Sequence, residues 1–498
     1  MITIIILLIL IAISIRYYKE NFNYDYWKIR NVKFLKPLPI FGNYLPAFLM
    51  QMSTGKLLEK IHRHYENEPY VGFYIFNKPY LLIKDPKIIQ SILVKDFTKF
   101  NNRSTASVIE NDFIGTYSLF ALKDTEWKVL RSKVLPFFST KQMKLMFELI
   151  TDVGEHLNEE IKQIYNKKTN IFETKDTAGK FASDIIAACV YGIPPPNEFL
   201  QISKSIFEPS VIRNFELNSF FFMKIFASIF KFTFIGRKAT NYLRMLFWNI
   251  INTREMEVQH NSKMKQDNFL NFLIELRKNK EISLTHDKLV AQAIIFFTAG
   301  IEGPATAISQ GLYHIALNSN IQRRLRKEIK QALADNNNEL TFENIKELPY
   351  LDACVRESFR MAIALPFLDR QASEDYKVPG TDLIIEKGMG IFISLYGMHY
   401  DPKYFPNPNK FDPERFLTNK SKLNQFAYLP FGAGPRNCIG ARFANIQVKI
   451  GLINVLKDFQ VEAAKKIDEP FKAHPRGFFY TLANGYDLRF KKDDDIND

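Results

Sequence analysis

Cysteine is scarce in this chain, with Cys189, Cys354 and Cys438 the three present in 498 residues. They form no paired framework, which excludes a disulfide-stapled scaffold and suits a reducing compartment. The eight histidines include no H-E-x-x-H pair, and neither a P-loop nor a G-x-S-x-G elbow occurs. Those absences remove the zinc-peptidase, nucleotide-hydrolase and serine-esterase readings. No Gly/Ser-rich or Pro-rich linker interrupts the chain, so one large domain is expected where length alone allows about three. Arginine-rich arms, zinc-finger spacings and aromatic-basic motifs are missing too. The net charge of +14 therefore points away from nucleic acid and toward a membrane surface or an acidic protein partner. What is plentiful is apolar mass: a hydrophobic fraction of 46%, with 45 phenylalanines, is ample for a large core.

Long apolar runs are few. Ile2 to Ile15 is apolar apart from Thr3 and Ser14, yet its fourteen residues fall short of the about 20 that a spanning helix needs. No charged start or small-residue cleavage site marks it as a removable signal. Arg16, Lys19, Lys28, Arg30, Lys33 and Lys36 follow, so residues 1–18 are predicted to be an uncleaved signal-anchor with the rest of the chain cytoplasmic. Tyr17, Tyr18 and Trp27 extend that segment into the membrane interface. Residues 19–43 read as a basic linker ending in Lys36-Pro37-Leu38-Pro39-Ile40-Phe41-Gly42-Asn43, whose prolines cannot continue a helix. Residues 44–498 read as the folded domain.

Within that domain, Tyr70 to Lys84 predicts a hairpin turning at Asn77-Lys78-Pro79. Trp127 and Arg131 lie four apart at the start of a helix and share a face; by itself this spacing reads as a surface cation–π pair. Leu145 to about Tyr165 has amphipathic helical spacing. Ser219 to Phe234 is rich in phenylalanine but too interrupted by lysine to span a bilayer, and core is its default reading. Asp287 to about Asn318 is a long helical pattern interrupted at Ala299-Gly300-Ile301-Glu302-Gly303-Pro304. Pro304 lacks the N–H that the Gly300 carbonyl needs, so a kink is expected there. Glu357 and Arg360, three apart, also share a helical face.

The most informative stretch is Phe431-Gly432-Ala433-Gly434-Pro435-Arg436-Asn437-Cys438-Ile439-Gly440-Ala441-Arg442-Phe443-Ala444. Two glycines and a proline make a tight loop, and a helical pattern starts immediately after Cys438. Free N–H groups and the helix dipole at such a junction stabilise a thiolate, which serves as a nucleophile or a soft metal ligand. Gly434 and Gly440 suit a positive φ or a close approach of the backbone to something flat.

This F-x-x-G-x-R-x-C-x-G stretch, filled at every fixed position, resembles the haem-ligand loop of the cytochrome P-450 haem-thiolate family. The resemblance continues in the family's order through the proline hinge, W-x-x-x-R at Trp127 and Arg131, the A-G-x-[DE] of the central helix at Ala299, Gly300 and Glu302, E-x-x-R at Glu357 and Arg360, and P-E-R-F at Pro413 to Phe416. It is nearest to microsomal detoxification members of insect type. It implies a mainly α fold with small β-sheets that binds haem b (iron-protoporphyrin IX), with Cys438 as the axial thiolate on iron and Phe431 and Gly440 beside it. Trp127, Arg131, Arg370 and Arg436 would hold the haem, and Glu357, Arg360 and Arg415 would form a buried triad that locks the ligand loop. Gly303 departs from the family, which has threonine there, so Glu302 and Thr306 are the candidates for handling protons.

The same resemblance implies a monooxygenase that inserts one atom of dioxygen into a lipophilic xenobiotic, fatty acid, steroid or terpenoid. Its electrons would come from NADPH through NADPH–cytochrome P-450 reductase, docking near Lys128, Lys133, Lys141 and Lys144, with cytochrome b5 as a further partner. It implies an endoplasmic reticulum membrane as location, with the aromatic run Ser219 to Phe234 dipping into that membrane at the substrate entrance. Gly303 keeps two other readings open. One is rearrangement or dehydration of a fatty-acid hydroperoxide, which needs neither reductase nor proton relay. The other is a non-catalytic haem or ligand carrier.

Overall fold

The computed structural model describes residues 24–104, 112–166, 170–259, 268–277, 285–417, 423–465, 473–479 and 485–492; the anchor expected over residues 1–18 lies outside them. The described residues cluster into two compact units. One falls within Met1–Thr105 and Pro366–Met398, the other within Ala106–Leu365 and His399–Asp498.

The first unit is built on a four-stranded sheet ordered Tyr70–Ile75, Lys78–Ile83, Gly390–Ser394, Phe367–Gln371. Its first two strands form the expected hairpin, closed by the pair Ile75 and Lys78. The turn therefore falls on Phe76-Asn77, just ahead of the predicted position. Phe76 takes φ 54°, as tight hairpin turns demand, and Pro79 is drawn into the strand opposite Tyr74. Trp27, read from the sequence as part of an interfacial extension, is instead fully buried in this unit. Its indole lies so close over Gly72 that a Cβ there would sit 2.5 Å from the ring, and its Nε1–H donates to the Phe73 carbonyl at 3.3 Å. The proline segment turns back on itself, Leu38 and Gly42 exchanging N–H···O bonds of 2.8 and 2.9 Å. Asn43 then ties it to the sheet by accepting from the Tyr74 N–H at 2.8 Å.

The second unit is mainly helical. The helices that matter below are α1 (Asp124–Val134), α2 (Thr140–Asn166), α3 (Thr174–Ile186), α4 (Val211–Phe222), α5 (Lys224–Ile229), α6 (His286–Ala316), α7 (Pro349–Met361) and α8 (Ala441–Leu456). A three-stranded sheet ordered Ile171–Glu173, Asp487–Lys492, Phe459–Ala463 closes the unit. α6 is its axis and packs against α3, α7 and α8. It is the one described helix long and apolar enough to cross a membrane, and 78% of its most apolar window is buried inside the unit. A helix apolar all round belongs in such a position. Gly300 permits the close crossing, since a Cβ there would stand 2.3 Å from Ile186 Cδ1 on α3.

The interruption predicted at Ala299–Pro304 does not end α6, which runs through Pro304 as one helix. A proline removes a single rung of the ladder. Burial of Ile301, Ala305 and Ile308 on the flanking turns opposes any break. The aromatic run divides at Met223 into the end of α4 and the whole of α5. Phe220, Phe221, Ala227 and Phe234 are buried, whereas Ile225, Phe226, Ile229 and Phe230 are exposed. The run is thus half core and half apolar surface.

Candidate functional site

The Cys438 loop is shaped by two glycines in left-handed conformation, Gly432 at φ 69° and Gly434 at φ 73°. The Cys438 N–H donates to the Phe431 carbonyl at 2.8 Å and closes the loop. Because that bond commits Cys438 to the loop, α8 opens later than the sequence suggests, at Ala441 with Gly440 as its N-cap. Gly440 has an ordinary φ of −90°, and among the described residues a Cβ there would meet only Phe138, at an ordinary contact distance of 3.9 Å, so none of them requires glycine at that position. Cys438 is exposed, while Cys189 and Cys354 are buried. Burial pushes both inner thiols far up, which makes them inert and leaves Cys438 as the cysteine placed for chemistry.

Behind the loop, three aromatic and cationic groups interleave. Arg436 is buried and donates to the Leu122 carbonyl at 2.5 Å, with its guanidinium 4.2 Å from the centre of the Trp127 ring. Arg131, one turn along α1, lies 5.8 Å from the same ring and donates to Asn437 Oδ1 at 2.7 Å. Trp127 is itself buried, so this is not the surface cation–π pair that its spacing suggests on its own. Phe431 meets Phe359 of α7 edge-on at 4.8 Å. Of the lysines singled out by sequence, Lys128 and Lys141 are exposed, Lys133 is half-buried, and Lys144 pairs with Glu343 at 2.5 Å.

α7 carries the ionic core of the second unit. Arg360 and Glu357 are completely buried and meet in a bidentate pair, Nε to Oε2 at 2.7 Å and Nη2 to Oε1 at 2.8 Å. Arg360 also donates to the carbonyls of His399 and Pro408, each at 2.8 Å. Arg415 joins through Nε at 3.4 Å from Glu357 Oε1 and donates to the Asn407 carbonyl at 3.0 Å. The Asp412 N–H also donates to Glu357 Oε1, at 2.9 Å. Burial pulls the Arg360 guanidinium down, but the Glu357 carboxylate more than offsets this and the net shift is upward.

Arg370 belongs to the first unit, on strand Phe367–Gln371. It is 2% exposed, its Nη1 donates to the carbonyl of its own neighbour Asp369 at 2.7 Å, and among the described residues its Nε has no partner. The Asp369 carboxylate is engaged elsewhere, by Arg103 at 3.1 Å and the Ser104 N–H at 2.7 Å. Burial, followed by the positive Arg103, lowers the Arg370 guanidinium from its ordinary 12.5 to about 9.

On α6, the structure brings Glu302 and Thr306 together, the Thr306 hydroxyl donating to Glu302 Oε1 at 3.1 Å. It adds a residue that sequence reasoning missed. Lys175, on the first turn of α3, pairs with Glu302 Oε1 at 2.7 Å and donates to Thr306 Oγ1 at 2.5 Å. No local pattern marks this lysine, which is 127 positions from its carboxylate. Gly303 faces open space: among the described residues a Cβ there would meet nothing within 4 Å beyond its own stretch of helix.

Comparison with known proteins settles the family. The family described as "Cytochrome P450" matches residues 32–490. "Cytochrome P450 6k1" of Blattella germanica is 39% identical over 98% of this chain and 96% of its own length. "Probable cytochrome P450 6g2" of Drosophila melanogaster is 34% identical over 98% and 99%. "Cytochrome P450 6j1" of Blattella germanica is 35% identical over 94% of each chain. An exposed cysteine in a glycine-shaped loop, an ionic core on α7 and near full-length similarity to these insect proteins agree, and the chain belongs to the cytochrome P450 family of haem-dependent monooxygenases.

Proposed function

We propose that this protein is an NADPH-dependent monooxygenase of lipophilic small molecules, xenobiotics foremost, on the cytoplasmic face of the endoplasmic reticulum membrane. The observation that carries the reading is Cys438, exposed in a glycine-shaped loop that also carries Phe431 and Arg436. The residues present suit haem b. Cys438 offers a soft anionic ligand, and Arg370 is a buried cation whose Nε lacks the acceptor that a propionate oxygen would provide. When bound, the haem supplies dioxygen activation and the thiolate tunes its electronics.

The chain's own part is to hold and to shield. Within the second unit Arg131 and Arg436 would take propionate oxygens, with Trp127 packed between the two cations; Arg370, taken by itself in the first unit, has the Nε that such an oxygen would fill. The triad of Glu357, Arg360 and Arg415 keeps the ligand loop in register, and Phe431 shields the sulfur. Glu302 and Thr306 hold a proton donor on α6. Exposed Lys128 and Lys141 supply a positive field that suits an acidic flavoprotein reductase, with cytochrome b5 as a second partner. The exposed face of Ile225, Phe226, Ile229 and Phe230 suits contact with the bilayer, from which lipophilic substrates arrive. A second reading, rearrangement of a fatty-acid hydroperoxide, is favoured by Gly303, which offers no hydroxyl on α6. Glu302, still buried and partnered, speaks against it.

The test is NADPH consumption against product and hydrogen peroxide, in membranes reconstituted with reductase and a lipophilic panel. Product formed in step with NADPH supports the monooxygenase. Haem-loaded protein that uses no NADPH but consumes fatty-acid hydroperoxide favours the second reading, and one that does neither is a binding protein. In parallel, Cys438→Ser is expected to abolish the thiolate-type carbon monoxide spectrum while far-ultraviolet circular dichroism stays unchanged. An unaltered carbon monoxide spectrum would sink the ligand assignment.

A further inference from the structure

Lys175 stands on a helical turn that is fixed from two sides. The Glu173 carboxylate caps α3 by accepting from the Lys175 and Asp176 N–H groups at 3.2 and 2.5 Å, and it also accepts from the Tyr486 N–H at 3.1 Å. The Thr174 hydroxyl donates to the Tyr486 carbonyl at 2.6 Å. The start of α3 is thereby clamped to the chain entering strand Asp487–Lys492, and the lysine ammonium is delivered to α6. There it donates to both Glu302 Oε1 and Thr306 Oγ1.

This geometry sets a direction. A hydroxyl has one proton to give, and an ammonium can only donate. With Lys175 donating to the Thr306 oxygen, the Thr306 proton is left for Glu302, which it reaches at 3.1 Å. Donors therefore run in one order, from ammonium to hydroxyl to carboxylate. The Lys175 side chain is 27% exposed, whereas Thr306 and Glu302 are both buried, so the ammonium reaches the pair from its solvent side. Without the ammonium, the Thr306 hydroxyl is released to bond back to the carbonyl four residues earlier, the usual habit of a helix-interior threonine. The carboxylate is then left buried with less to hold it.

We propose that Lys175 is the positioning residue of the Glu302–Thr306 pair, its ammonium setting the orientation of both proton-handling oxygens. This rests on the monooxygenase reading above.

The experiment compares the parent with Lys175→Met, Lys175→Arg and the double variant Lys175→Met/Glu302→Gln, all as haem-loaded full-length protein with reductase. Product per NADPH, spectral substrate binding and thermal midpoint are measured for each. Lys175→Met is expected to lower product per NADPH by about tenfold in favour of peroxide, with substrate binding unchanged, and Lys175→Arg to retain most of the coupling. The midpoint falls in Lys175→Met and recovers in the double variant, where no carboxylate remains to be left unpaired, while coupling stays low. Parent-like coupling in Lys175→Met overturns the proposal. So does a double variant that regains coupling along with its midpoint, because Lys175 would then only neutralise a buried charge. A parent that binds haem yet uses no NADPH fails the monooxygenase reading itself, and the role of Lys175 falls with it.

Discussion

Arg360 and Arg370 are equally hidden, at 0% and 2% exposure, yet their surroundings are opposites. Arg360 sits in the second unit with a bidentate carboxylate and two well-placed carbonyls, and its charge is held more firmly than in water. Arg370 sits in the first unit with one carbonyl, a cation nearby and an Nε without an acceptor, and its charge is held less firmly. A buried guanidinium that is saturated is a fastening. One that is starved is a receptor for an anion, and a haem propionate is the anion proposed here.

The largest effect is expected from breaking the fastening. Arg360→Met leaves the Glu357 carboxylate buried with only Arg415 and the Asp412 N–H beside it, which should cost about 3–5 kcal/mol. Denaturant unfolding would read that loss, together with failure to retain haem; a cost under about 1 kcal/mol would mean that Arg415 alone suffices.

Acid probes the same region. Burial above all, with the positive Arg360 adding to it, lowers the His399 ring from 6.5 to about 3. Its Nε2 accepts from the Leu429 N–H at 2.9 Å, so its Nδ1–H is left to donate to the Arg360 carbonyl at 2.9 Å, and the neutral ring is the one that fits. Between pH 6.5 and 3 the unfolded chain binds a proton that the folded chain refuses. Stability is therefore full above 6.5 and is lost as pH falls through that window, at about 1.4 kcal/mol per unit for this histidine. His399→Gln should flatten the slope by that amount, and an unchanged slope would mean that the ring is protonated in the fold.

The smallest effect, and the one of opposite sign, belongs to Arg370. Arg370→Gln should stabilise haem-free protein by about 1–3 kcal/mol while weakening haem retention. Its folded value of about 9 lies below the ordinary 12.5, so across that interval the unfolded chain holds a proton that the folded one releases. Stability of the haem-free parent should rise with pH there, and the variant should not follow it. A variant less stable than the parent at neutral pH would show that Arg370 fastens as Arg360 does.

Much of this was legible in the residues. Amphipathic spacing marked α2 and the long pattern of α6, and the hairpin followed from alternation with a turn signal. Cys438 stood out because glycine, proline and the start of a helix surround it. Glu357 and Arg360 were paired by their spacing, since three residues apart on a helix is a contact. Boundaries were less legible. α6 runs through Pro304 over almost the whole expected span, but α8 waited for Gly440 because Cys438 spends its N–H on closing the loop. Trp27 passed for an interfacial residue until Gly72 supplied the flat seat beneath its ring.

By itself the sequence determined the local chemistry: which cysteine lies in a glycine-shaped loop, which acid and base share a helical face, and where apolar mass suffices for a core. These depend on neighbours within a few positions, where backbone geometry is already set by residue type. Only the tertiary structure decided that Cys189 and Cys354 are inert, that Arg360 is saturated while Arg370 is not, and that Lys175 reaches Glu302 and Thr306. Burial and charge act through space between residues far apart in the chain, and no spacing rule records them.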